Sequence, residues 1–121
     1  MTEAEVLEML NLTAANAMNG YIVYNTFTFG YLTVAYLAGA NLSKVQVLII
    51  SSFYVLAAST FTLVTMTHTQ SIGVLVTDYP EFAYSIFWHT PWTLLVSTVQ
   101  VGGILVSLYF MYNIRKEKVG G

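Results

Sequence analysis

Two histidines and two carboxylates are the residues of this 121-residue chain whose types could together bind a metal ion or a haem. His68 and His89 flank a segment that contains Asp78 and Glu81, so imidazole and carboxylate ligands could meet there. No spacing motif, such as two histidines one helical turn apart, supports this site. We favour two interfacial histidines that hydrogen-bond to backbone or headgroups. No cofactor is predicted, and haem or metal at His68 and His89 is the alternative.

The rest of the sequence contains no recognisable catalytic motif. There is no cysteine, which excludes thiolate metal sites and cysteine nucleophiles. No GxSxG, P-loop, dinucleotide-binding or HExxH motif occurs. Segments outside the predicted membrane helices reach at most about 25 residues, which is too short for an independent catalytic domain. We therefore expect a protein without enzymatic activity.

The composition indicates that most of the chain is surrounded by lipid. Hydrophobic residues make up 56% of it and charged residues 8%, and the mean hydropathy is +0.66. A soluble domain is usually about 25% charged, so these charges are too few to cover a water-exposed surface. The net charge of −2 gives no attraction to nucleic acid. The sequence predicts an all-α integral membrane protein.

Long intervals without charge predict three transmembrane helices. A helix needs about 20 apolar residues to cross the bilayer core. Charge-free intervals of sufficient length follow Glu8, Lys44 and Glu81. The single membrane domain is predicted to contain an amphipathic helix at 2–18, spans at 20–40, 45–67 and 92–114, an outer loop at 68–91 with a short interfacial helix, and a basic tail at 115–121.

Three predicted helix starts carry the pattern of a capping box. Thr2 precedes Glu5 by three positions, Ser43 precedes Gln46 by the same spacing, and so does Asp78 before Glu81, where a short aromatic helix is expected. In this motif the side chain of the first residue and the longer polar side chain each accept a hydrogen bond from a free backbone amide. Helices are therefore expected to begin at these three points.

The placement of basic residues predicts the orientation in the membrane. Lys44 lies between the first and second spans, and Arg115, Lys116 and Lys118 follow the third. Three spans bring these two places to one side, which the positive-inside rule assigns to the cytoplasm. We expect the N-terminus outside and the C-terminus inside, in a bacterial inner membrane.

Polar and small residues within the spans are suited to helix packing. The amides of Asn25 and Gln100 need partners in lipid, and a cross-helix hydrogen bond is worth about 0.6–2 kcal/mol. Small residues let helix backbones approach one another closely. The candidates are Gly30 in the first span, Ser52, Ser59 and Thr62 in the second, and Gly102, Gly103 and Ser107 in the third.

These features favour a non-catalytic scaffold or accessory subunit whose partners are the lipid bilayer and further membrane helices, either its own copies or other subunits. No charged residue lies within the spans, which argues against a proton-coupled transporter. One alternative is an oligomeric pore lined by Ser, Thr, Asn25 or Gln100. A second is a haem- or quinone-binding subunit. A groove for a quinone or a lipid would then lie along Tyr21, Tyr24, Thr28 and Tyr31 of the first span.

Overall fold

The computed structural model describes residues 2–82 and 89–120, and these residues form an all-α fold. Three long helices run back and forth and pack side by side. The helices are α1 (Glu3–Ala38), α2 (Lys44–Asp78) and α3 (Trp92–Gly120), with short 3-10 turns at Gly39–Asn41 and Pro80–Phe82.

Helices α2 and α3 are each long and apolar enough to cross a membrane. By length and composition alone, therefore, the described part of the chain contains two candidate spans, which are consistent with a membrane location. Residues 83–88, on which most of the predicted aromatic interfacial segment falls, lie outside the described residues.

The capping boxes predicted at Thr2 and Ser43 are confirmed, whereas Asp78, which was predicted to begin a third helix, is the last residue of α2. The Thr2 hydroxyl accepts a hydrogen bond from the Glu5 amide at 3.2 Å, and the Glu5 carboxylate accepts one from the Thr2 amide at 3.2 Å. At the start of α2, the reciprocal bonds between Ser43 and Gln46 are 3.1 and 2.9 Å long. Each box satisfies amides that the first helical turn leaves free.

Helix α1 is continuous, which differs from the predicted division into an amphipathic helix at 2–18 and a span at 20–40. Gly20 does not interrupt it, because this buried glycine packs against α2 and tertiary packing overrides its low helix propensity. Leu10 is buried on one side, but Met9 and Leu12 are exposed on the other. The N-terminal part of α1 thus shows no amphipathic arrangement.

Helix α2 extends to Asp78, beyond the predicted end of the second span at residue 67. Ile72 forms a small core with Val6 and Leu10 of α1, and Leu75 packs against this core. Because these contacts stabilise additional turns of α2, the first part of the predicted outer loop is helical. The 35 residues of α2 reach roughly 52 Å, against a hydrocarbon core of about 30 Å.

The bundle exposes large apolar side chains along all three helices. Phe29 and Leu37 of α1, Phe53 of α2 and Leu105 of α3 are mostly exposed. A water-soluble monomer rarely exposes apolar patches of this extent, whereas a lipid-facing surface requires them. The main core contains Tyr24, Tyr31, Ala35, Tyr54, Ala58, Ile104 and Met111.

Candidate functional site

The three helices meet at a buried polar cluster, formed by Tyr24 of α1, Thr65 of α2 and Gln100 of α3. Their exposed fractions are 3%, 1% and 0%. The Tyr24 hydroxyl donates to the backbone carbonyl of Gln100 at 2.6 Å. The Gln100 side-chain amide donates to the Thr65 hydroxyl at 3.4 Å. This polar cluster therefore links all three helices by hydrogen bonds across the core.

The side-chain oxygen of Gln100 accepts no hydrogen bond within the described part of the chain. Thr65 cannot supply one, because its hydroxyl proton is donated to the Phe61 carbonyl at 2.8 Å. An unsatisfied buried acceptor is destabilising by about 1–3 kcal/mol. Gln100 was predicted as a helix-packing or pore-lining residue, and the structure places its side chain between helices of one chain.

Glycines allow the close approach at the polar cluster. A Cβ atom at Gly103 would overlap the Tyr24 hydroxyl, and one at Gly20 would lie 2.9 Å from the Thr65 hydroxyl. A Cβ at Gly102 or Gly30 would meet nothing within 4 Å. Of the predicted packing glycines, Gly103 thus lies in a contact between α1 and α3, and the other two face outward.

The predicted small polar residues fall on different sides of the bundle. Ser107 and Thr62 are buried, Ser59 is half-buried and Ser52 is exposed. The Thr62 hydroxyl donates to the Ala58 carbonyl of its own helix at 2.7 Å. Such a bond satisfies the hydroxyl locally, so Thr62 contributes to packing by its small size.

Two tyrosines of α1 are buried in helix contacts, Tyr24 against α3 and Tyr31 against α2. The rings of Tyr31 and Tyr54 stack with centroids 4.3 Å apart, and the Tyr31 hydroxyl lies 2.8 Å from that of Ser51. The hydroxyls of Thr28 and Tyr54 lie 3.0 Å apart. Tyr31 and Tyr54 therefore form contacts between α1 and α2. Asn25 is half-buried on α1.

A cavity of about 330 Å³ opens between the helices on the N-terminal side of Gln100 in α3. Thr65 of α2 and Trp92, the first residue of α3, are among the residues that line it. Apart from Thr65, Thr69 and Tyr21, the lining side chains are apolar, so the cavity suits an apolar group. Of the predicted quinone groove, only Tyr21 lines this cavity.

Neither histidine belongs to a candidate metal-binding group in the described part of the chain. His68 is half-buried on α2, and His89 is exposed just before α3. Within residues 2–82 and 89–120, no group of three or more His, Asp or Glu residues could hold a metal ion. Asp78 is the last residue of α2, and Glu81 lies in the turn beyond it.

The basic residues gather at the end of the bundle where α1 turns into α2. Arg115 Nη1 donates to the carbonyls of Gly39 and Leu42, at 2.8 and 2.6 Å. Lys44 and Lys116 are exposed. The side chain of Lys118 lies outside the described residues. Arg115, predicted as a topology anchor, thus also attaches α3 to the α1–α2 turn.

Sequence reasoning missed this attachment, and it missed Tyr24 and Thr65 as partners of Gln100. The polarity of Gln100 within a span predicted a hydrogen bond without saying to which residue. Comparisons with protein-family models, with curated proteins and with solved structures found no match, so no family is assigned by similarity.

Proposed function

We propose that this chain is a three-span membrane protein that acts without catalysis, as a packing subunit of a homo-oligomer or of a larger membrane complex. One observation carries the proposal: α1 packs against α2 along almost its whole length. Contacts run from Leu10 with Ile72, through Gly20 with Thr65, to Tyr31 near the turn. A helix that lies beside a membrane-spanning α2 over this length would itself cross the bilayer.

The polar residues of α1 are compatible with a third span. Thr26 and Thr33 donate to the carbonyls of Ile22 and Phe29 in their own helix, at 3.0 and 2.7 Å. A hydroxyl satisfied in this way adds little cost in lipid, although it lowers the hydropathy of the segment. Composition alone therefore underestimates how well α1 suits the bilayer.

The outward surface supports a function based on lateral helix contacts. The polar cluster lies inside the bundle, and the exposed faces carry large apolar side chains. Gly30 and Gly102 leave open positions on these faces, where the backbone of a neighbouring helix could approach closely. This chain would therefore act through shape and packing.

Oligomer mass tests the proposal. The monomer has a mass of 13.4 kDa, and native mass spectrometry of the chain in mild detergent should give a multiple of this mass or a complex with another subunit. Substituting leucine for Gly102 should reduce association about tenfold, which corresponds to about 1.4 kcal/mol. Gly73→Leu is the control, because a Cβ at this glycine also meets nothing within 4 Å, but Gly73 lies near the C-terminal end of α2, outside the span of 45–67 predicted from the sequence.

A wild-type chain that is monomeric and has no co-purifying subunit would contradict the proposal. Equal effects of the two leucine substitutions would show that Gly102 is not part of the contact. Solute flux through liposomes that contain the oligomer would instead favour the pore.

A further inference from the structure

A groove of about 430 Å³ lies between the three helices at the basic end of the bundle, with Tyr31 of α1 on one side. Its walls include Val47 of α2 and Leu108 and Met111 of α3, which are apolar. Arg115 and Lys116 also line it, and they follow these apolar residues along α3. Tyr31, Ser51 and Tyr112 complete the lining, and the hydroxyls of Tyr31 and Ser51 are hydrogen-bonded to each other at 2.8 Å. The groove therefore combines a mainly apolar interior with a cationic rim.

The order of these residues matches the depth profile of a membrane leaflet. Val47 lies one helical turn inward from Lys44, at the start of α2. Met111 and Leu108 lie one and two turns inward from Arg115 on α3. Because α2 and α3 are the two candidate spans, this order would place the cations at headgroup depth and the apolar walls at acyl-chain depth.

The guanidinium of Arg115 is fixed in position at this rim. Its Nη1 atom is held by the carbonyls of Gly39 and Leu42. A guanidinium has five N–H donors, so its other nitrogens can still donate. Lys116 adds an exposed ammonium, and the neighbouring carboxylate of Glu117 accepts a bond from Asn113 at 3.3 Å. The rim is therefore a preorganised anion-binding edge.

We propose that this groove binds an anionic phospholipid of the cytoplasmic leaflet. The phosphate lies against Arg115 and Lys116, and one acyl chain packs along Val47, Leu108 and Met111. Charge complementarity selects an anionic headgroup, and the apolar walls select a lipid over a free phosphate. The inference goes beyond the proposed packing function and rests only on the membrane placement that the two share.

Lipid titration of the full-length chain in neutral detergent tests this site. Native mass spectrometry should show phosphatidylglycerol bound about tenfold more tightly than phosphatidylcholine, given two cations at the rim. Lys116→Gln should reduce this preference about fivefold, because it removes one of the two cations. Leu108→Trp should weaken binding of both lipids by filling the groove, with the helical circular dichroism unchanged.

Lys44→Gln is the matched control, because it removes the same charge at the same end but Lys44 does not line the groove. Equal loss in both lysine variants, or equal binding of both lipids by the wild type, would overturn the proposal. So would glycerol phosphate competing as well as phosphatidylglycerol, which would indicate a free-anion site. A monomer that keeps the lipid preference would contradict the packing function and leave this site standing.

Discussion

Replacing Gly103 with alanine should destabilise the bundle by about 2 kcal/mol, because the new Cβ would overlap the Tyr24 hydroxyl. Tyr24 cannot swing aside freely, since its ring is buried and its hydroxyl is bonded to the Gln100 carbonyl. Either α1 and α3 must separate or the hydrogen bond must break. The free energy of unfolding, measured by titrating the detergent-solubilised chain with dodecyl sulfate, should report this loss.

The neighbouring glycine provides the control for this experiment. Gly102→Ala should change stability by about 0.5 kcal/mol or less, because a Cβ there meets nothing within 4 Å. Equal destabilisation by the two alanine substitutions would contradict the orientation of α3 about its axis, which turns Gly103 and not Gly102 toward Tyr24.

A double variant tests the cause of the overlap. Tyr24→Phe alone should destabilise by about 1 kcal/mol through the lost hydrogen bond. In the Gly103→Ala background, Tyr24→Phe should instead increase stability, because it removes the overlapping hydroxyl. The nearest remaining ring atom, Cζ, is 3.5 Å from the Cβ position, which is an ordinary van der Waals distance. Strictly additive effects would show that the Tyr24 hydroxyl is not the obstacle.

Arg115→Ala should also destabilise the bundle, by about 2 kcal/mol, because hydrogen bonds to charged groups contribute about 1.5–3 kcal/mol. The guanidinium joins α3 to the Gly39 and Leu42 carbonyls, which follow the end of α1. Without it, this turn loses its connection to α3. Amide hydrogen exchange around Leu42 should therefore accelerate in Arg115→Ala, in addition to the loss of unfolding free energy.

A variant of the neighbouring lysine distinguishes the loss of the Arg115 hydrogen bonds from the loss of a positive charge. Lys116→Gln removes the same charge from an exposed position and should alter stability in neutral detergent by about 0.5 kcal/mol or less. Equal losses of stability in the two variants would indicate that Arg115 acts through charge alone.

The first residues of the helices were easier to predict from the sequence than their last residues. Capping boxes at Thr2 and Ser43 are local patterns, and both helices begin where the boxes predict. The end of α2 is set by the packing of Ile72 against Leu10. Because those two residues are far apart in the chain, hydropathy along the sequence could not extend α2 beyond residue 67.

The candidate site was predictable only in part, for a similar reason. Gln100 is conspicuous as a buried amide in an apolar span, but its partners depend on how the helices are rotated. Gly102 and Gly103 are equivalent in sequence, and only the rotation of α3 turns Gly103 toward Tyr24. Arg115 was predicted as a topology anchor from its charge. Its carbonyl partners lie 76 and 73 positions away in the chain, so the sequence pattern did not reveal them.

The most direct test of the three-span topology is to determine on which side of the membrane the N-terminus of α1 lies, relative to the ends of α2 and α3. Because the chain has no cysteine, single cysteines at Ala4, Asp78 and Glu117 can be labelled with a membrane-impermeant maleimide in intact bacterial cells. We predict that Ala4→Cys and Asp78→Cys react from outside and that Glu117→Cys reacts only after permeabilisation. If Ala4→Cys instead reacts only together with Glu117→Cys, α1 does not cross the bilayer and the three-span account is wrong.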